Sequence, residues 1–166
     1  MHLWTLSSHL SEAYLTVACT SNPKQAVYNR AFSFDKLGRH ERALADYTHA
    51  LQMQPNNSTA YHNRGNTLEK MGRLEAAMAD FTRAAELDTN SSASKHARAL
   101  LLDKMGRHQE ALTDFSAAIT QEPLNPVYYH NRGLCYRNLE DYSKVLNCRC
   151  LMSRGSYNAL TSTYRL

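Results

Sequence analysis

Gly38, Gly72 and Gly106 stand 34 residues apart, each inside a similar string: FDKLGRHERALADY, LEKMGRLEAAMADF and LDKMGRHQEALTDF. These strings align without gaps. A fixed period of this length means one supersecondary unit repeated along the chain, none of which can bury its apolar face alone. The same period runs through two rows of small residues, Ala31, Gly65, Ala99 and Gly133, and Ala43, Ala77 and Ala111. Bulk stands at Tyr47, Phe81 and Phe115 and at Phe34, Leu68, Leu102 and Tyr136. Interlocking large and small rows are what helices packed about 8–10 Å apart require.

Inside each unit the apolar spacing is helical, as in Ala43, Leu44, Tyr47, Ala50 and Leu51, where steps of three and four recur. Each unit is therefore expected to be two helices. First helices are placed near 24–37, 58–71, 92–105 and 126–138, and second helices near 40–53, 74–87, 108–121 and 141–153. Glycine after a first helix suits a left-handed C-terminal cap, and Pro55 and Pro123 lie just past second helices, where no internal hydrogen bond is broken. The expected division is an N-terminal helix, half a repeat, in 1–23; repeats at 24–57, 58–91 and 92–125; a degenerate repeat at 126–153; and an atypical tail or cap at 154–166.

This pattern resembles the tetratricopeptide-repeat family, closely across 24–125 and again at Pro126–Asn138. The resemblance implies an all-α fold, a right-handed superhelix of antiparallel helix pairs whose first helices line a concave groove. Departures are visible at Lys95, in a large-apolar place, at Thr89, in the place of the proline, and at Glu140, in the place of the glycine. After Val145 the pattern fails, since Arg149 and Met152 fall where an aromatic residue and an alanine are expected.

Apolar residues make up 43% of the chain, enough for a core, and the 19 basic and 15 acidic residues are spread without a nucleic-acid-type block. Cys19, Cys135, Cys148 and Cys150 have neither zinc-finger spacing nor the density of a disulfide scaffold, so free thiols in a reducing compartment are expected. The N-terminal stretch makes a poor secretory signal and no run approaches a membrane span, so the expected location is cytoplasmic.

His62, His96 and His130 repeat at 34 residues, with Tyr28 in the corresponding place of the first unit. One metal ion cannot bridge residues on successive first helices about 10 Å apart, because zinc holds imidazole nitrogens at about 2 Å. The row either contacts a partner or is solvated. His2, His9, His40, His49 and His108 form no cluster with cysteine or carboxylate that the sequence supports. Beside the row stand Asn29, Asn63 and Asn131, with Ala97 breaking the series, and Asn66 lies one turn on from Asn63. In the related peptide-binding arm of the O-linked N-acetylglucosamine transferase, similar asparagines hold a ligand's main chain. A carboxamide offers both a donor and an acceptor to an extended backbone. Lys36, Lys70 and Lys104 form a further row beside Asp35, Glu69 and Asp103, and would bias such a groove toward acidic peptides.

Some family members clamp the acidic tail of a heat-shock chaperone with lysine, asparagine and arginine. That clamp fits badly here: Tyr28 and Phe32 stand at its first lysine and asparagine, Asn63 matches, and Ala93 and Ala97 replace its last lysine and arginine. Arg30, Arg64, Arg98 and Arg132 recur beside the small-residue row, and Asp46, Asp80 and Asp114 recur on the second helices, with Cys148 in the fourth such place. Structural pairing within each repeat is expected, since a partly buried arginine needs a partner.

The sequence offers no phosphate loop, elbow serine or metal motif. No catalysis, cofactor or metal is expected. The function read from the residues and the resemblance is a protein-binding scaffold that takes an extended, acidic segment through Asn29, Asn63, Asn66, Asn131, His62, His96, His130, Lys70 and Lys104. The alternatives are a nucleic-acid-binding repeat protein and a regulatory arm of an enzyme encoded elsewhere. A chaperone C-terminal tail, nucleic acid and a membrane are all disfavoured as partners.

Overall fold

A computed structural model describes residues 23–151. The expected N-terminal helix, ahead of residue 23, and the tail from 154 lie outside the described residues. Seven helices have both ends described: α1 (Pro23–Lys36), α2 (His40–Met53), α3 (Ser58–Lys70), α4 (Leu74–Leu87), α5 (Ser92–Lys104), α6 (His108–Gln121) and α7 (Pro126–Asn138). Residues 142–151 are helical too, and no strand occurs among the described residues. None of these helices is long and apolar enough to cross a membrane.

Among the described residues, 23–87 form one compact unit and 88–151 another. In the first unit α1 packs on α2, α2 on α3 and α3 on α4, and α1 also meets α3. In the second, α5 packs on α6 and α6 on α7, and α5 meets α7. The aromatic row of the second helices supplies the plugs: Tyr47, Phe81 and Phe115 are all fully buried. They press on the small row of the first helices, and a Cβ on Gly65 would lie 2.8 Å from the Phe81 ring. Helices can approach this closely only because the opposing residue has no side chain.

Helix ends follow the period as closely as the core does. The side chains of Asn57, Ser91 and Asn125 accept from backbone N–H groups of the first turns of α3, α5 and α7, satisfying donors that a helix start otherwise leaves open. First helices end in one repeated turn, in which Arg39, Arg73, Arg107 and Asp141 each donate a backbone N–H to the carbonyl five residues back, at 2.9–3.0 Å. This is the Schellman arrangement, and it needs a left-handed residue just before the donor. Gly38, Gly72 and Gly106 supply it with φ of 72°, 75° and 78°, and Glu140 is forced to φ 58°. A side chain in this region costs about 1–2 kcal/mol, partly offset by the extra freedom glycine has when unfolded. Glu140→Gly is therefore expected to stabilise the protein by about 0.5–1 kcal/mol in urea unfolding. An unchanged or lowered midpoint would show that the turn bears no such strain.

The departures Lys95 and Thr89 meet each other. The Lys95 ammonium and the Gln121 amide both donate to the Thr89 carbonyl, at 2.5 and 2.7 Å. A charged stem thus replaces an apolar one at a turn that lacks its proline.

Candidate functional site

The side chains that join successive helices decide which groups remain for a partner. In three repeats the arginine beside the small row holds the aspartate sixteen residues later side-on, donating from Nε and from Nη2. Arg30 holds Asp46 at 2.6 and 2.8 Å, Arg64 holds Asp80 at 2.7 and 2.8 Å, and Arg98 holds Asp114 at 2.6 and 2.7 Å. The Asp80 bond raises the Arg64 pKa against the opposing effect of burial. The expected pairing is thus present in three repeats. In the fourth, Arg132 reaches the Ser116 hydroxyl at 3.3 Å, and its buried Nε has no hydrogen-bond partner. Cys148 occupies the place of the missing carboxylate.

In the first unit the faces of α1 and α3 interlock at two levels. Asn63 Nδ2 donates to the Tyr28 hydroxyl at 2.6 Å. Burial raises the Tyr28 pKa in spite of that bond. At the other end Lys70 Nζ donates to Asp35 Oδ2 at 2.6 Å, while the Thr67 hydroxyl and the His40 ring lie 3.1 and 3.2 Å from Asp35 Oδ1. Burial opposes ionisation of Asp35, but Lys70, Thr67 and His40 together outweigh it and hold the carboxyl below its usual range.

The second unit repeats both levels with different residues. Asn131 Nδ2 lies 2.8 Å from His96 Nε2. Asn138 Nδ2 lies 3.2 and 3.4 Å from the two Asp103 oxygens, and His108 Nδ1 lies 2.6 Å from Asp103 Oδ1. Cys135 Sγ lies 3.4 Å from the His108 carbonyl, and burial, followed by Asp103, pushes its thiol up to about 12.

Several expected binding groups are therefore used inside the fold. Asn63 and Asn131 bridge neighbouring first helices, and Lys70 is an ion-pair partner of Asp35 rather than an uncommitted cation. His62 and His96 are half-buried, their rings 5.7 and 5.8 Å from Phe81 and Phe115, so neither stands in solvent. Burial lowers the His62 pKa. Asn29, Lys104 and His130 are exposed and Asn66 is half-buried. Asn29 Oδ1 accepts from Gln25 Nε2 at 3.0 Å. His130 borders a cleft of about 370 Å³ with Tyr129, Leu134, Arg137 and Arg149. Arg149 stands there in the row that Tyr47, Phe81 and Phe115 fill elsewhere.

Two features differ from the sequence reading. Phe32 and Leu100, two periods apart on first helices, remain 42% and 39% exposed. Of their row, 32, 66, 100 and 134, Asn66 is expected in the groove from sequence, Phe32 enters there only as a misfit to the chaperone clamp, and Leu100 has no expected role. Second, His40 and His108 do cluster with carboxylates, and His108 also with a cysteine, contrary to expectation. Asp35 and His40, like Asp103 and His108, flank the glycine turn, which folds residues five apart onto each other. The cysteine arrives from the next first helix.

These paired helices with small, aromatic and capping rows at one period define an all-α helix-pair repeat protein. Family models described as "TPR repeat" and "Tetratricopeptide repeat" match residues 33–72, 58–91 and 96–144. The chain belongs to the tetratricopeptide-repeat family, whose fold is that of a protein-interaction scaffold and is typically non-catalytic. No curated protein sequence matches it significantly. Among solved structures, one of MamA has 18% identity and a TM-score of 0.82, covering 91% of this chain and 89% of that one. MamA 41-end from Desulfovibrio magneticus RS-1 has 15% identity and a TM-score of 0.79, covering 93% and 95%. The first TPR of Spaghetti (RPAP3), bound to the HSP90 peptide SRMEEVD, has 18% identity and a TM-score of 0.69, covering 73% and 96%. At these identities the likeness is one of fold.

Proposed function

We propose that the first-helix faces of this scaffold bind an extended segment of another protein. The observation that carries the reading is Phe32, a large aromatic ring left 42% exposed on α1 with the Lys36 ammonium 5.0 Å from its centroid. Asn29 lies on the same helix, three residues away, and Asn66 holds the row of Phe32 on α3. An extended main chain can take hydrogen bonds from the two carboxamides while an apolar side chain covers the ring and an acidic one meets Lys36. Asn63 keeps its Oδ1 outside the Tyr28 bond, and His62 and Lys70 border the same face of the first unit. In the second unit His96, Lys104, His130 and Asn131, with Leu100, make the corresponding set. The peptide bound by the Spaghetti TPR is an acidic one, which supports the class of ligand but not its identity.

The test is a peptide-display selection against the whole chain, followed by titration of recovered peptides with Phe32→Ala/Asn66→Ala. Loss of affinity of about tenfold or more is expected, from burial of one aromatic contact and two amide bonds. An outer-face control, Arg83→Ala, should bind as the parent does. Peptides that bind the double variant undiminished would refute the assignment.

A further inference from the structure

The two units solve the same local problem differently, and the difference points to a cation. In the first, the carboxylate at the end of α1, Asp35, receives a built-in cation, Lys70, and a hydroxyl, Thr67, beside the His40 ring. In the second, the equivalent carboxylate, Asp103, keeps its histidine, but lysine has become Asn138 and threonine has become Cys135. The internal positive charge is gone and a sulfur ligand has been added. One carboxylate oxygen of Asp103, a ring nitrogen of His108 and Cys135 Sγ all lie within 4.8 Å of one another.

We propose that Asp103, His108 and Cys135 form a binding site for a borderline-soft divalent cation, zinc being the natural one, which takes the place that Lys70 fills in the first unit. Oxygen, imidazole and thiolate are zinc's ordinary ligands, at about 2.0–2.3 Å, which sets the edges of the coordination tetrahedron at about 3.3–3.7 Å. The separation of 2.6 Å between His108 and Asp103 must therefore open by about 1 Å, and since no separation exceeds 4.8 Å, none must close by more than about 1.5 Å. Cys135 is fully buried, whereas Asp103 and His108 retain 20% and 25% exposure, so the ion enters from their side. On binding, the Cys135 thiol loses its proton to solvent and water or the Asn138 amide oxygen completes the set of four. A thiolate ligand excludes calcium and magnesium.

The first unit supplies the control variant. Cys135→Thr/Asn138→Lys installs the Thr67 and Lys70 solution, so it is expected to keep the fold while losing the site. The whole reduced chain, stripped with a chelator, is titrated with cobalt(II) and then zinc(II). The parent should bind one equivalent, develop thiolate-to-cobalt charge-transfer absorption that zinc abolishes, and melt at a higher temperature with either ion. The double variant should lose the absorption and at least tenfold in affinity. If it fails to fold, Cys135→Ser is read by the same absorption. No response in the parent, or an equal response in the folded variant, would overturn the proposal, the second by placing the ion elsewhere.

Discussion

Asp80→Ala is expected to destabilise the protein by about 2–3 kcal/mol, which urea unfolding monitored by far-ultraviolet circular dichroism will measure. Asp80 is 7% exposed and accepts from Nε and Nη2 of Arg64, so removing it leaves a half-buried cation with two donors unfilled. A fully buried pair broken from one side costs about 3–5 kcal/mol, and the 20% exposure of Arg64 lets water recover part of that. Truncating both partners should cost less than the sum of the single changes, because the second change removes the charge the first one stranded. Additive losses would mean that the two residues act independently, against the geometry.

The opposite change applies to the fourth repeat. Cys148→Asp is expected to stabilise the protein by about 1–2 kcal/mol, by giving Arg132 the carboxylate its counterparts have. The buried Arg132 Nε lacks any hydrogen-bond partner, and Ser116 satisfies only one other nitrogen. The sign with pH is fixed. An aspartate paired with an arginine has a folded pKa below its unfolded one, so the gain is complete above the unfolded value and is lost as the pH falls through the folded value. A lowered melting point at neutral pH would mean that residues 142–151 do not present position 148 as the other second helices present their aspartates.

Much of this was legible in the sequence, for a physical reason: a repeat prints each structural requirement several times. One glycine suggests many things, but Gly38, Gly72 and Gly106 with Ala31, Gly65 and Ala99 suggest one packing, and Arg30, Arg64 and Arg98 with their aspartates suggest one ion pair. The caps Asn57, Ser91 and Asn125 keep the same period. What the period could not reveal is how neighbouring rows consume each other. Asn63 and Tyr28 belong to rows that look independent, yet they lie 35 residues apart, one more than the period, and so share a hydrogen bond across helices. The Lys70 bond to Asp35 has the same separation. A residue's side of its helix can be inferred from spacing, whereas its partner depends on the offset between stacked helices, which only coordinates supply. Asn63, Asn131 and Lys70 thus each carry an internal bond that their rows alone do not reveal, while Asn29 is exposed.

The separation of sixteen residues between arginine and aspartate has a consequence for how such a chain can change length. Excising any 34 consecutive residues from the regular region joins each row to itself, whatever the starting point. If residues 40–73 were lost, Arg30 would meet Asp80 at the spacing it now has to Asp46, since 80 less 34 is 46. Duplication obeys the same rule. Recombination can thus add or remove whole periods without stranding a buried charge, and the breakpoint need not respect the helix boundaries. A change of any other length that falls between an arginine and its aspartate would do to that arginine what one cysteine has done to Arg132.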